Sequence, residues 1–215
     1  VVVPAFAVGL FQSLIHDLWL RRQQGGLNNV PVFLDSPMAT NATELLYRHK
    51  SEHKLAERDF EQAFAAVTYV REVEESKALS ANRYPKVILS ASGMATGGRV
   101  LHHIAAFAPA HRHTLLFSGF QAAGTRGRKL LEGAREVKMF GQWIPVNAEV
   151  AELPMLSAHA DSDELLQWLL GFGQAPKRLF IVHGEPEASE GLRERVQREL
   201  GWQATVPLQG QEFEL

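Results

Sequence analysis

Two short segments of the chain combine a histidine with an acidic residue two positions later. His159 precedes Asp161, and His183 precedes Glu185. Imidazole is a common zinc ligand, and a nearby carboxylate typically orients a metal-bound ring. A single histidine on a loop is more often a hydrogen-bonded structural residue, but two equivalent segments make metal binding an equal alternative.

The elements around these histidines are predicted to place them at the ends of strands. Each segment follows an apolar stretch and precedes an amphipathic helix. Asp161 and Glu164 have the spacing of a helix N-terminal capping pair. The second helix has apolar residues four positions apart from Leu192 to Leu200, and Gly201 ends it. Loops at the carboxyl ends of strands are where α/β folds gather functional residues.

The rest of the chain alternates apolar strands with helical patterns, which predicts an α/β fold. The predicted helices cover residues 8–22 and 99–108, and residues 44–84 are expected to be mostly helical and solvated. A hairpin is predicted over Glu136–Glu149, with its turn at Gly141-Gln142. The predicted buried strands are Val1–Val3, Val30–Leu34, Lys86–Ser90 and Thr114–Phe117.

Composition excludes some classes of protein. The 215 residues include no cysteine, which excludes disulfides and thiolate metal ligands, and this usage fits a cytoplasmic protein. No apolar run approaches the roughly 20 residues that cross a bilayer. The formal charge of −2 argues against a protein that coats nucleic acid non-specifically, although a local basic cluster could still bind a polyanion.

Two segments could contact phosphate. Gly97-Gly98-Arg99 opens a predicted helix, so backbone N–H groups and a guanidinium could meet an anion, although a glycine-rich helix start without a ligand is the common case. Arg126, Arg128 and Lys129 form the densest basic cluster of the chain. Such a cluster is usually a solvated face.

Several motifs, which follow one another along the chain in the family's order, resemble those of the β-CASP nucleases. These nucleases are RNA-processing enzymes of the metallo-β-lactamase fold. Ser157–Asp161 and Val182–Glu185 are similar to two metal-site motifs of that family. A histidine at position 183 is typical of its RNA-processing members rather than its DNA-repair branch. The other matching segments are Pro4–Gly9, Asp35–Ala39, Ser90–Met94 with Gly97–Arg99, and Gly119–Gln121 with Gly124–Arg128.

The resemblance implies an α/β architecture in two parts. Residues 1–120 would form a β-CASP domain, with a parallel sheet flanked by helices. Residues 121–215 would form the C-terminal portion of a metallo-β-lactamase αββα fold. It implies a two-zinc ribonuclease that leaves 3′-hydroxyl and 5′-phosphate ends. His183 would be a zinc ligand, and His159 would protonate the leaving 3′ oxygen. Asp161 would orient His159 or cap its helix. The expected RNA contacts are Ser157, Arg99, Arg126, Arg128 and Lys129.

The sequence departs from the family pattern in ways that limit these expectations. The family's HxHxDH metal-binding loop is absent, Leu10 replaces an arginine, and Phe120 replaces a tyrosine. One or two histidines cannot bind a zinc pair, because each metal needs three or more protein ligands. Because the sequence begins with Val1 rather than methionine, we expect it to be a piece of a longer enzyme and to be inactive alone. We also expect it to dimerise, or otherwise to cover an exposed face of its sheet.

Two other functions remain open at this point. The chain could be a non-catalytic RNA-binding or scaffolding protein that partners an active homologue, which would bind RNA without metal or cleavage. It could also be a small-molecule hydrolase on the same scaffold, although the Arg126–Lys129 cluster makes that alternative less attractive.

Overall fold

A computed structural model describes residues 1–27, 29–154 and 159–214. The chain divides into two compact units, Val1–Ser157 and Ala158–Leu215. No helix in the described ranges is long and apolar enough to cross a membrane.

The ten strands of the described residues are short, each two to five residues long. They are β1 (Val2–Pro4), β2 (Val32–Asp35), β3 (Val67–Tyr69), β4 (Val87–Ser90), β5 (Thr114–Ser118), β6 (Glu136–Met139), β7 (Gln142–Pro145), β8 (Glu149–Leu153), β9 (Leu179–Phe180) and β10 (Ala204–Thr205).

Eight α-helices of the described residues connect these strands, and a single 3-10 turn (Lys50–Glu52) follows the second helix. The helices are α1 (Leu10–Gln23), α2 (Pro37–Arg48), α3 (Glu57–Ala65), α4 (Val73–Ala81), α5 (Val100–Phe107), α6 (Arg126–Leu131), α7 (Ser162–Leu170) and α8 (Pro186–Leu200).

A six-stranded parallel sheet forms the centre of the larger unit, in the order β3-β2-β4-β1-β5-β8. Strands such as β4 are buried along their whole length, because helices cover both faces of a parallel sheet. One apolar cluster gathers Phe11 and Leu34, and a second gathers Ile104 and Phe117. The predicted α/β class, with a parallel sheet flanked by helices, is confirmed.

The smaller unit contains a βαβ arrangement in which β9 and β10 pair in parallel and α8 connects them. Its core consists of Leu166, Leu169 and Val196. The predicted capping pair is present at the start of α7, and Gly201 ends α8 in the left-handed conformation.

Some predicted elements are shifted in the structure. The segment 44–84 contains β3, which the prediction missed because its three residues lie between charged helices. The hairpin turn lies at Phe140-Gly141, one residue earlier than predicted; both residues have positive φ, as a type I′ turn requires. β8 lies beyond the predicted domain boundary near residue 120, yet it pairs with β5 over Glu149–Leu153. That boundary stays a prediction.

Candidate functional site

The loop that contains His159 leads into α7 in the smaller unit. Both His159 and Asp161 are exposed. Asp161 Oδ1 accepts hydrogen bonds from the backbone N–H groups of Asp163 and Glu164, each at 2.9 Å, and Glu164 Oε2 accepts from Asp161 N. The structure therefore shows the capping role of Asp161, which satisfies the free N–H groups of the first turn. Its orienting role toward His159 stays a prediction.

His183 lies in the loop between β9 and α8 and is exposed. Its φ is +67°, a left-handed conformation that non-glycine residues adopt rarely and that clusters at functional sites. The next residue, Gly184, packs against α8 so closely that a Cβ would lie 2.3 Å from Ser189 Oγ. Ser189 is buried and its N–H donates to Glu185 O at 2.9 Å. This packing fixes the loop that presents His183.

The described residues do not assemble a metal site by themselves. Ser157, the predicted RNA contact, lies outside the described residues. Among the residues that are described, no three histidine, aspartate or glutamate side chains are grouped so that they could hold a metal ion. His159, Asp161 and His183 are therefore not gathered into a ligand set, and they do not fit a zinc pair without further donors.

A buried charge cluster lies in the larger unit, at the carboxyl end of β2. Asp35 is fully buried, and its carboxylate accepts from Arg99 Nη1 at 2.7 Å and from Ser76 Oγ at 2.5 Å. His103 Nε2 lies 2.6 Å from Asp35 Oδ2, and His103 Nδ1 lies 3.0 Å from Ser80 Oγ. The carboxylate thus joins β2 to helices α4 and α5.

The electrostatics of this cluster favour an ionised carboxylate. Burial acts to raise the pKa of Asp35, but hydrogen bonds from His103, Ser76 and Arg99 outweigh it and hold the pKa below its usual value. The Arg99 guanidinium also donates to the carbonyl oxygens of Val70 and Arg71, at 3.2 and 2.7 Å. These three internal partners favour a structural role for Arg99, and its predicted RNA contact stays a prediction.

Arg99 follows a tight loop that leads from β4 to α5. Ser92 Oγ accepts from the N–H groups of Thr96 and Gly97, at 3.1 and 3.3 Å. Gly98 has a φ of +79°, and a Cβ there would lie 2.4 Å from Ala91 O. Only glycine fits this close approach without a backbone shift, so the loop has one conformation that places Arg99 against Asp35.

The three residues of the predicted basic cluster on α6 make different contacts. Arg126 Nε donates to Lys138 O at 2.8 Å and its Nη1 donates to Thr96 O at 3.3 Å, so this side chain holds β6 to the loop before α5. Arg128 is exposed and pairs with Glu132 at 2.7 Å. Lys129 is exposed, and no ion pair among the described residues includes it. The RNA contacts of these three residues stay predictions.

Comparison with known proteins now relates this architecture to a family. The Beta-Casp domain matches residues 10–130, which is most of the larger unit. The chain belongs to the Beta-Casp family. A second domain, described as the Zn-dependent metallo-hydrolase RNA specificity domain, matches residues 143–207 and includes both histidine loops. The predicted resemblance to β-CASP nucleases of the metallo-β-lactamase fold is confirmed.

Several curated relatives of this Beta-Casp chain act on RNA or in transcription by name. "Ribonuclease TTHA0252" of Thermus thermophilus is 36% identical over 195 residues, covering 87% of this chain and 43% of the relative. "Transcription termination factor FttA" of Methanosarcina mazei is 33% identical, covering 93% and 33%. An "RNase J-like protein" of Methanocaldococcus jannaschii is 28% identical, covering 98% and 49%. The chain thus spans a third to a half of the length of these relatives.

The Asp35 cluster is the feature of this region that the sequence interpretation did not predict. From the sequence, Asp35 is recognised only as part of a segment that matches the family, Asp35–Ala39, and His103 is assigned no role. A signal was present, because position 103 lies on the same helical stripe as the buried Val100, Ile104 and Phe107. A histidine on an apolar stripe needs a polar partner, and Asp35 directly follows the predicted buried strand Val30–Leu34.

Proposed function

We propose that this chain forms the β-CASP and RNA-specificity part of a zinc-dependent ribonuclease that hydrolyses RNA phosphodiester bonds. The observation that supports this most is the order of the two matched domains, residues 10–130 and 143–207, with His159 and His183 on loops of the second. Relatives named as ribonucleases support the same reaction class.

We assign His183 as a zinc ligand and His159 as the group that donates a proton to the leaving 3′ oxygen. Both side chains are exposed on loops that precede helices, so they can reach a substrate and donor groups beyond the described residues. An imidazole can serve either role near neutral pH. Because the described residues do not complete a zinc site, no hydrolytic step is assigned to them alone, and we expect the 215-residue protein to be inactive by itself.

A chimera tests this proposal directly. The chain replaces the matching region of the Thermus thermophilus ribonuclease, with which it shares 36% identity. Zinc content is measured by mass spectrometry, and cleavage of end-labelled RNA is followed on gels. We expect an active chimera whose products carry 5′-phosphates. His183→Ala should lose zinc and activity, whereas His159→Ala should lose activity and keep zinc.

The exposed His111 provides the control, because His111→Ala should leave both zinc and cleavage unchanged. A folded chimera that binds zinc but does not cleave RNA would contradict the proposal. It would favour the second candidate, a non-catalytic RNA-binding or scaffolding protein that partners an active homologue.

We further propose that the protein associates through an apolar surface of the smaller unit. Trp168, Leu170 and Phe172 are all more than half exposed, and the Trp168 and Phe172 rings contact edge to face at 5.0 Å between centroids. Clustered large apolar side chains are usually covered by a partner. Sedimentation equilibrium should show a homodimer that Trp168→Ala weakens; a monomer at all concentrations would count against it.

A further inference from the structure

The β6–β7 hairpin presents an aromatic ring beside a lysine on its outer face. Lys138 lies directly opposite Trp143 in the antiparallel register, so the two side chains lie on the same face as neighbours. The adjacent pair, Val137 and Ile144, packs inward against the core. Trp143 is 61% exposed although it belongs to a hairpin with a packed inner face. We call Lys138, Trp143 and the turn residue Phe140 the hairpin platform.

The hairpin platform is held rigidly from two sides. Arg126 Nε donates to Lys138 O at 2.8 Å and fixes β6. At the turn, the Phe140 ring stacks on the His102 ring of α5, with centroids 4.5 Å apart and planes 20° from parallel. A surface that is fixed before binding loses less conformational entropy when a ligand arrives. Trp143 is therefore exposed on a preorganised support.

The charge around the hairpin platform favours an anionic ligand. Residues 126–145 contain five basic and two acidic side chains, a balance of +3 in a chain whose formal charge is −2. One of the acids, Glu132, pairs with Arg128. The other, Glu136, lies on the outer face two residues from Lys138 and opposes the positive field there. In the described ranges, Lys138 takes part in no ion pair.

We propose that the hairpin platform binds single-stranded RNA, with a base stacked on Trp143 and the adjoining phosphate at Lys138 Nζ. Exposed aromatic rings beside cations are how proteins hold unpaired bases without reading their sequence. A duplex keeps its bases stacked inside and cannot offer one to Trp143. A protein partner is less suited, because lysine is depleted from the centres of protein interfaces. The choice of RNA rests on the proposed function, whereas the stacking site rests on the hairpin itself.

Fluorescence anisotropy of a 5′-labelled 12-nucleotide oligouridylate tests this, with the 215-residue protein in EDTA at 50–200 mM KCl. Trp143→Ala should weaken binding about tenfold, within the range that loss of one stacked base produces. Trp143→Phe should keep most of the affinity. Lys138→Ala should lower the slope of log K against log salt by about 0.7, the value for one phosphate contact on a single strand.

Tyr84→Ala is the matched control, because Tyr84 is an aromatic residue of the same unit, is 80% exposed and belongs neither to the hairpin platform nor to the proposed dimer surface. It should leave RNA affinity unchanged, and circular dichroism should show that both variants keep the parent fold. The proposal is overturned if Trp143→Ala binds as tightly as the parent, if Tyr84→Ala loses as much affinity as Trp143→Ala, or if a 12-base-pair duplex binds as tightly as the single strand.

These outcomes are separate from those of the ribonuclease proposal. Binding is measured in EDTA, where no metal-dependent cleavage occurs, whereas the zinc-loaded chimera reports cleavage. An active chimera whose RNA affinity does not depend on Trp143 overturns the hairpin platform only. A chimera that cannot cleave RNA, together with a tenfold loss in Trp143→Ala, overturns the nuclease assignment only.

Discussion

Substitution of Asp35 by asparagine should destabilise the larger unit by about 2 kcal/mol at pH 7. The carboxylate accepts from Arg99 and Ser76 at 2.7 and 2.5 Å and lies 2.6 Å from His103 Nε2, all in a fully buried position. A hydrogen bond to a charged group contributes about 1.5–3 kcal/mol. Asparagine keeps the shape and one acceptor, so the loss should lie within this range. Alanine leaves the guanidinium without its carboxylate and should cost about 3–5 kcal/mol.

The assay is urea unfolding followed by the fluorescence of Trp19, which is buried in the larger unit. The other three tryptophans are replaced by phenylalanine so that the signal reports this unit alone. Asp17→Asn is the matched control, because Asp17 is exposed and lies 3.9 Å from His16 in a weak surface contact. It should change stability by less than about 0.5 kcal/mol.

The pH dependence gives a second readout of the same cluster. The folded-state pKa of Asp35 lies below its unfolded value of 3.8, because hydrogen bonds outweigh burial. Its contribution to stability is therefore present above pH 3.8 and is lost as the pH falls through the folded pKa. The difference between the parent and Asp35→Asn should narrow below about pH 4. A cost under about 0.5 kcal/mol at pH 7, or a difference that does not narrow in acid, would refute the reasoning.

Four further outcomes are expected. Burial and the nearby Glu44 raise the pKa of Tyr69 to about 12. Tyr69→Phe should therefore remove the phenolate absorbance that develops at the highest pH, and an unchanged absorbance titration at 295 nm would contradict this. Asp161→Ala should cost the smaller unit about 1 kcal/mol in urea unfolding through loss of the α7 cap, and Asp161→Asn should restore most of it. Gly98→Ala should cost about 2 kcal/mol or more, because its Cβ would lie 2.4 Å from a carbonyl oxygen; a neutral effect would show that the loop relaxes. Glu136→Gln should strengthen binding of oligouridylate two- to threefold at low salt, and the gain should vanish at high salt, on the order expected for one surface charge.

Much of the fold follows from local pattern. Buried parallel strands are continuous apolar runs, so β2, β4 and β5 can be located from the sequence to within one or two residues. The α7 cap is visible in the spacing of Asp161 and Glu164 because capping depends only on neighbouring residues.

The candidate site could be predicted less completely, because side-chain direction depends on contacts between distant segments. The sequence shows that Arg126 is basic, but its bonds to Lys138 and Thr96 depend on how β6 and the loop before α5 meet. The β6–β7 hairpin shows how strongly the neighbours of a side chain depend on the position of a turn. A turn at Gly141-Gln142 would place Trp143 opposite Phe140, whereas the observed turn one residue earlier places it opposite Lys138.

The position of β1 in the sheet has a consequence for how the protein folds. Val2 pairs with Ile88 on one side and with Leu115 on the other, so the central strand finds its neighbours only after more than eighty intervening residues have been brought together. Closing such long loops costs entropy before the pairing contributes stability, which slows folding. During synthesis, β1 must wait for β4 and β5 with its apolar residues uncovered. During this interval the uncovered apolar residues of β1 can pair with other chains, which favours aggregation.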